Sequence, residues 1–182
     1  MKLYVIHDYK SKYPALSGHL LTDALIRDCL GREDLVIERT DKGKPYIKGP
    51  DTAGCCISVS HSEGTFALLV SDRNVGLDIQ YHRDVKADRI AARCFPAEEA
   101  AYVAEDSTGS RFFTFWTRKE AYSKYTGIGI EQIMKKEPAP DDGEVLFTDL
   151  RLEDGCYCSI CSERIEKEGG QRPDEIQISY RK

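Results

Sequence analysis

Glu120 and Lys124 set a carboxylate and an ammonium four residues apart within Trp116-Thr117-Arg118-Lys119-Glu120-Ala121-Tyr122-Ser123-Lys124. At 3.6 residues per turn, Trp116, Glu120 and Lys124 stack along one stripe of a helix, presenting an aromatic body, an anion and a cation in line. A metal-bound phosphate would find both of its partners there. An ordinary Glu-to-Lys surface pair explains the same spacing and contributes only about 0.2–0.5 kcal/mol to a helix.

Three other stretches carry reactive or ligating groups. Gly43-Lys44-Pro45 reads as a turn that holds one cation beside a proline of fixed φ. Ile57-Ser58-Val59-Ser60-His61-Ser62 reads as a strand running into hydroxyls and one imidazole. Those groups suit phosphate oxygens, or equally a turn that satisfies its own backbone. The glycines of a nucleophile elbow are missing, which counts against a serine hydrolase. Val75-Gly76-Leu77-Asp78-Ile79-Gln80 alternates, so Asp78 and Gln80 face one way and Leu77 and Ile79 the core. A carboxylate at a strand end suits Mg²⁺, which takes oxygen ligands and shares its shell with waters and substrate phosphates. A solvated Asp on an open sheet face is the plain alternative.

Cys156, Cys158 and Cys161 have no fourth Cys or His close by to complete a tetrahedral metal site. As a strand, Cys156, Cys158 and Ile160 face one way and Tyr157, Ser159 and Cys161 the other. Asp154-Gly155 supplies the turn, and Val145 to Leu152 a partner strand.

The elements that must position these groups read as α+β. Strands are predicted at Leu3–His7, Val36–Arg39, Cys56–Ser60, Thr65–Ser71, Val75–Ile79 and Glu175–Tyr180, with a polar stretch at Glu166–Asp174 before the last. A helix runs from the N-cap Ser17 to Leu30 with Gly31 as its stop, because Leu21, Leu25 and Cys29 recur every four residues. Lys86–Arg93, a helix opened by Pro96, and Phe112–Tyr125 follow, the last ended by Gly127 and Gly129. No Pro- or Ser-rich linker divides the chain, so residues 1–182 are read as one unit.

Composition narrows the function classes. The 182 residues are 41% hydrophobic and 31% charged, and the start has too short an apolar run for a signal peptide. Nothing approaches the ~18 apolar residues of a membrane span. Seven cysteines without an export signal imply reduced thiols and a cytoplasmic location. A net charge of −5 offers no general attraction for nucleic acid, so an anionic ligand needs a local basic pocket.

Taken in order, Gly43-Lys44-Pro45, Ser58-Val59-Ser60-His61-Ser62, Gly76-Leu77-Asp78 and Trp116-x-x-Lys119-Glu120-Ala121-x-x-Lys124 resemble the 4′-phosphopantetheinyl transferases, in particular the surfactin-synthetase-activating type. Leu20-Leu21 and Arg93-Cys94-Phe95-Pro96-x-Glu98-Glu99 add to the likeness, which runs from about His19 to Ile130. The resemblance implies a Mg²⁺-dependent enzyme that moves the phosphopantetheine arm of coenzyme A onto a serine of an apo carrier protein, releasing 3′,5′-ADP. It also implies two pseudo-duplicated halves, about 1–82 and 83–182. Each half would pack a helix on a small, mostly antiparallel sheet, with the active site between them. A chain holding both halves would act as a monomer.

Carried over residue by residue, the likeness gives Asp78 and Glu120 the metal, with Gln80 as a third, uncharged ligand. Glu120, or a water it orients, would take the serine proton, and Lys124 would stabilise phosphoryl oxygens. Ser60 and His61 would contact coenzyme A phosphates, and Lys44 with Pro45 would line the nucleotide pocket. Two departures stand out. Gln80 replaces a second acidic residue, and the short segment before His19 leaves the 3′-phosphate to His19, Lys10 or Lys12. A non-catalytic module binding coenzyme A or a carrier protein, and a Mg²⁺-dependent phosphohydrolase using Asp78 and Glu120, are the competing readings.

Overall fold

Leu3 and Val5 are buried on one side of the first strand and Tyr4 and Ile6 on the other, so the opening segment must lie between two apolar layers. The computed structural model, which describes residues 1–49, 55–135, 145–164 and 175–181, is built around that strand. Its first part comprises β1 (Lys2–Ile6), α1 (Tyr9–Lys12), α2 (Gly18–Leu30), β2 (Val36–Arg39), β3 (Pro45–Lys48), β4 (Cys56–Ser62) and β5 (Thr65–Ser71). There follow β6 (Val75–Gln80), α3 (Ala87–Cys94), α4 (Ala97–Ala104), α5 (Ser110–Thr126), α6 (Ile130–Met134), β7 (Val145–Arg151), β8 (Tyr157–Glu163) and β9 (Gln177–Arg181).

One sheet has the order β4-β5-β1-β9, antiparallel except for the parallel β1–β9 pair, and a second, antiparallel sheet has the order β6-β8-β7. β2 and β3 form a separate antiparallel pair. On the outer face of the first sheet, Leu21, Leu25, Ile26 and Cys29 of α2 meet Tyr4, Ile6, Phe66 and Leu68. Gly31 ends that helix at φ 65°, donating its N–H to Arg27 and Asp28 carbonyls. On the inner face, Leu3, Val5, Ala67 and Leu69 meet Leu77, Ile79, Cys158 and Ile160 of the second sheet. Each Leu or Ile fully buried in this way contributes about 1.5–3 kcal/mol. Beyond the second sheet lies α5, whose Ala121 packs on Val145 and Cys161. The layers are therefore helix, sheet, sheet, helix.

The α+β reading and the alternation of the cysteine strand agree with this arrangement. Cys156, Cys158 and Ile160 enter the core between the sheets, whereas Cys161 faces α5. No cluster of three or more His, Cys, Asp or Glu that could hold a metal occurs among the described residues. None of the described helices is long and apolar enough to cross a membrane.

Other expectations shift. β6, placed in the first of the two expected halves, pairs with β8 of the second. β9 returns from the far end of the chain to the first sheet. The strand β3 is absent from the sequence prediction: it has only four residues and starts at Pro45, which lacks a ladder donor and reads as a turn. The short helices α1 and α6 were equally invisible, having too few residues for periodicity. The predicted polar stretch Glu166–Asp174 lies outside the described residues.

Gly76 decides how closely α5 approaches β6. A Cβ at this position would sit 1.9 Å from the Ala121 carbonyl oxygen and 2.7 Å from the Tyr125 nitrogen. Both neighbours are helix backbone and cannot rotate away, so any side chain would force the whole helix off the strand. Gly76→Ala should therefore cost more than about 3 kcal/mol of stability, beyond ordinary overpacking. Urea unfolding measures this directly, and a loss below about 1 kcal/mol would mean that α5 can back away at little cost.

Candidate active site

The free edge of β6 meets β4 through side chains rather than through a backbone ladder. Ser58, Ser60 and Ser62 alternate along β4 and therefore project from the same face. Their Oγ atoms accept the backbone N–H groups of Leu77 (3.0 Å), Ile79 (3.2 Å) and Tyr81 (2.9 Å). The constant offset of 19 residues means that β4 and β6 run in the same direction. The hydroxyls thus supply partners for edge amides that would otherwise be buried and unpaired.

Asp78 sits on this seam, 6% exposed, rather than on an open sheet face. Its Oδ1 accepts from Ser60 Oγ at 2.8 Å and from Lys124 Nζ at 2.9 Å. Lys124 Nζ also donates to the Leu77 carbonyl at 2.9 Å. Oδ2 of Asp78 has no hydrogen bond among the described residues. Glu120, one turn before Lys124 on α5, is half-buried and likewise has no hydrogen-bond partner among the described residues. Burial first, and then the charge of Asp78, raise the Glu120 pKa, with Lys124 opposing them. The surface-pair reading of Glu120 and Lys124 is thereby corrected: Lys124 pairs with Asp78 on the neighbouring strand.

These groups form the floor of a cleft of 530 Å³ between the helix-covered first sheet and α5. A second cavity of 730 Å³ continues from it and shares Gly43, Pro45, Val59, Glu120 and Lys124 as walls. His19, Ser60, His61, Gln80 and Trp116 also line the first cavity, and Lys44 lines the second. The residues singled out from the sequence are therefore brought together around one connected cleft.

Their individual roles are less uniform. Ser60 spends its hydroxyl on Asp78 and Ile79. His61 is exposed at the rim beside Tyr9. The cleft walls, followed by the ammonium groups of Lys124 and Lys10, hold its imidazole below the usual pKa. Lys12 is paired with Asp28 at 2.6 Å. Gln80 has been given a partner that the sequence did not suggest. With its amide oxygen turned to Arg83, it accepts from Nε at 3.2 Å and from Nη2. In that orientation the Arg83 guanidinium competes with any metal for the lone pairs of the amide oxygen.

Arg39 escaped the sequence reading, and Lys119, which the motif included, has a partner that the sequence did not suggest. Arg39 reaches the cleft from the end of β2, paired with Asp23 at 2.6 Å and donating to the His19 carbonyl; a lone Arg in a four-residue strand gives no signal. Lys119 is fully buried, 2.8 Å from Glu99 and over the Phe95 ring. The lysine beside Glu120 therefore ties α4 to α5, which explains why the Phe95–Glu99 stretch accompanies the helix motif.

Comparison with known proteins agrees with this assembly. Residues 74–163, from the start of β6 to the end of β8, match the model of the 4′-phosphopantetheinyl transferase superfamily. The chain is 27% identical over 176 residues to the 4′-phosphopantetheinyl transferase gsp of Aneurinibacillus migulanus, covering 84% of this chain and 70% of that protein. It is 33% identical over 134 residues to the 4′-phosphopantetheinyl transferase HetI of Nostoc sp., covering 65% of this chain and 56% of that protein. A phosphopantetheinyl transferase of Thraustochytrium sp. is 28% identical over 138 residues, 65% of this chain and 48% of the relative. The chain thus spans about half to two-thirds of the length of the curated relatives it matches. Since the matched segment carries Asp78, Glu120 and Lys124 on the same two packed elements, the chain belongs to the 4′-phosphopantetheinyl transferase superfamily.

Proposed function

We propose that this chain transfers the 4′-phosphopantetheine arm of coenzyme A to a serine of an apo carrier protein and releases 3′,5′-ADP. One observation carries the reading: a carboxylate with an open oxygen, Asp78, and a carboxylate with no hydrogen bond, Glu120, face one cleft beside Lys124. Burial and the neighbouring Asp78 charge raise the Glu120 pKa, a costly arrangement that a divalent cation would relieve. Asp78 and Glu120 would hold Mg²⁺, with waters and substrate phosphate oxygens completing the shell. Held there, the ion would supply charge neutralisation at the pyrophosphate. Gln80, engaged by Arg83, is left out of that shell.

The protein's own groups supply the rest. Lys124 is poised at 2.9 Å on Asp78 and stabilises oxygens of the transferred phosphoryl group. Glu120, whose raised pKa makes it a better proton acceptor than an ordinary carboxylate, receives the serine hydroxyl proton directly or through a water. The nucleotide lies along Gly43, Pro45 and Val59, and His61 and His19 meet its phosphates from the rim. Positioning and electrostatics carry most of such a transfer, since phosphoryl chemistry asks for little covalent help. The cleft is walled by both sheets and α5 of a single chain, which supports action as a monomer. All seven cysteines are free thiols, in keeping with a reducing cytoplasm.

The protein incubated with coenzyme A, Mg²⁺ and an apo carrier protein should add about 340 Da to the carrier, the mass of the arm. Coenzyme A binding without any mass gain would favour the non-catalytic module, and release of free phosphopantetheine would favour the hydrolase. Glu120→Gln should lower the transfer rate by roughly 10²–10⁴-fold with the fold intact, and near-normal turnover would remove Glu120 from the reaction. Gln80→Glu should leave the Mg²⁺ concentration giving half-maximal rate within about twofold, because Arg83 would hold the new carboxylate; a large drop would place residue 80 at the metal.

Glu120 also makes a stability prediction. Its folded pKa is raised, so the fold disfavours the ionised form, and the penalty grows as pH rises above the ordinary glutamate value of about 4.3. In metal-free buffer, Glu120→Gln should melt at a higher temperature than the parent at pH 7, and the gap should close below about pH 4. Scanning calorimetry across that range measures it; a parent more stable at pH 7 would mean that Glu120 has a stabilising partner.

A further inference from the structure

We infer that Lys44 is a positioning residue whose ammonium locks α5 against β6, and that it does not itself bind phosphate. The inference rests on the transferase reading of the cleft. Lys44 Nζ lies 2.9 Å from the Val75 carbonyl, 2.9 Å from the Lys124 carbonyl and 3.2 Å from Asn74 Oδ1. An ammonium has three donors, and here all three have acceptors within the protein. No carboxylate pairs with Lys44 among the described residues, so it is held entirely by neutral oxygens.

Those oxygens are placed to fix the catalytic face. Lys124 O lies in the last turn of α5, where carbonyls lack helical partners and carry the negative end of the helix dipole. Asn74 completes the same cap, donating its amide to the Tyr125 carbonyl at 2.7 Å while accepting from Lys44. Val75 O is the first residue of β6, three positions before Asp78. One ammonium therefore binds the start of the strand that carries Asp78 to the end of the helix that carries Glu120 and Lys124. The backbone beneath it is also set: the turn closes through Gly43 N–H to Thr40 O at 2.8 Å, and Lys44 N–H reaches Thr40 Oγ1 at 3.2 Å. Burial depresses the ammonium's pKa, in keeping with a cation withdrawn from solvent. Turning the head toward a phosphate would leave two part-buried carbonyl groups without this donor. The nucleotide wall at this point is supplied by Gly43 and Pro45 instead.

Reductive methylation of the unaltered protein, mapped by mass spectrometry, tests the placement without any variant. Lys44 should stay unmodified with and without coenzyme A, while the exposed Lys42 next door reacts in both. Free modification of Lys44 that coenzyme A suppresses would overturn the inference. Kinetics test the role. Lys44→Met should lower kcat by roughly 10–100-fold through displacement of Lys124 and Glu120, with the Kd for coenzyme A held within about threefold. Lys44→Arg, which keeps the charge and donors, should restore part of kcat. A rise in that Kd matching the loss in rate, or an unchanged kcat at saturating coenzyme A, would overturn it. Coenzyme A binding is read by calorimetry without a carrier, and methylation needs no turnover, so failure of the transferase reading would be seen separately.

Discussion

The backbone N–H groups of Leu77, Ile79 and Tyr81 lie along the edge of the second sheet, and among the described residues the serine hydroxyls of β4 accept them. Such a bond contributes about 1 kcal/mol net, whereas a buried amide left without a partner costs about 1–3 kcal/mol. The asymmetry makes the three serines a registering device more than a source of stability. Slipping β6 by one residue would offer the serines Asp78 and Gln80 amides that point the other way, and would turn Leu77 and Ile79 out of the core between the sheets. With the register fixed, Asp78 comes to rest against Ser60, and the middle serine of the row serves both the backbone and the carboxylate.

The remaining geometry follows from that strand. Gly76 lets α5 lie in backbone contact with β6, which places Lys124 within 2.9 Å of Asp78. Lys119 buries its ammonium against Glu99 and draws α4 to the same helix. A buried ion pair of this kind adds little net stability over an apolar pair, but half of it alone would be strongly destabilising, so it specifies which helices meet. The helix that bears Glu120 and Lys124 is thus held from three sides: by a glycine's absence of bulk, by a buried pair, and by a capped C-terminus.

Local periodicity made the frame legible in the sequence. The four-residue recurrence in α2, the long polar-apolar pattern of α5 and the alternation through β5, β6 and the cysteine strand β8 each reflect a face that must be buried, and each was found within a few residues. What periodicity could not reveal was which donor meets which acceptor. Ser58, Ser60 and Ser62 looked like phosphate ligands because their partners lie 19 residues away on another sheet. Lys44 looked like a free cation because its partner carbonyl is 80 residues away. Asp78 could be solvated or buried on the same alternation, and only the packing of two sheets decides between them. Gln80 read as an uncharged ligand, and its neighbour Arg83 gave no signal because it lies beyond the end of the strand.

Charge balance explains why Gln80 fits a cleft of this design. Around the seam, Asp78 and Glu120 carry two negative charges and Lys124 one positive charge, leaving the floor with one net negative charge before any ligand arrives. A bound divalent cation would reverse that sign and make the floor attractive to a phosphate-bearing ligand. A third carboxylate at position 80 would deepen the negative charge but would meet the Arg83 guanidinium, so its gain would be spent on a neighbouring ion pair. With Gln80 the guanidinium takes an uncharged oxygen instead, and its charge faces Glu63 at 3.9 Å. On the proposed reading, Asp78 and Glu120 would give the cation two carboxylates, and Gln80 keeps a third negative charge off the floor.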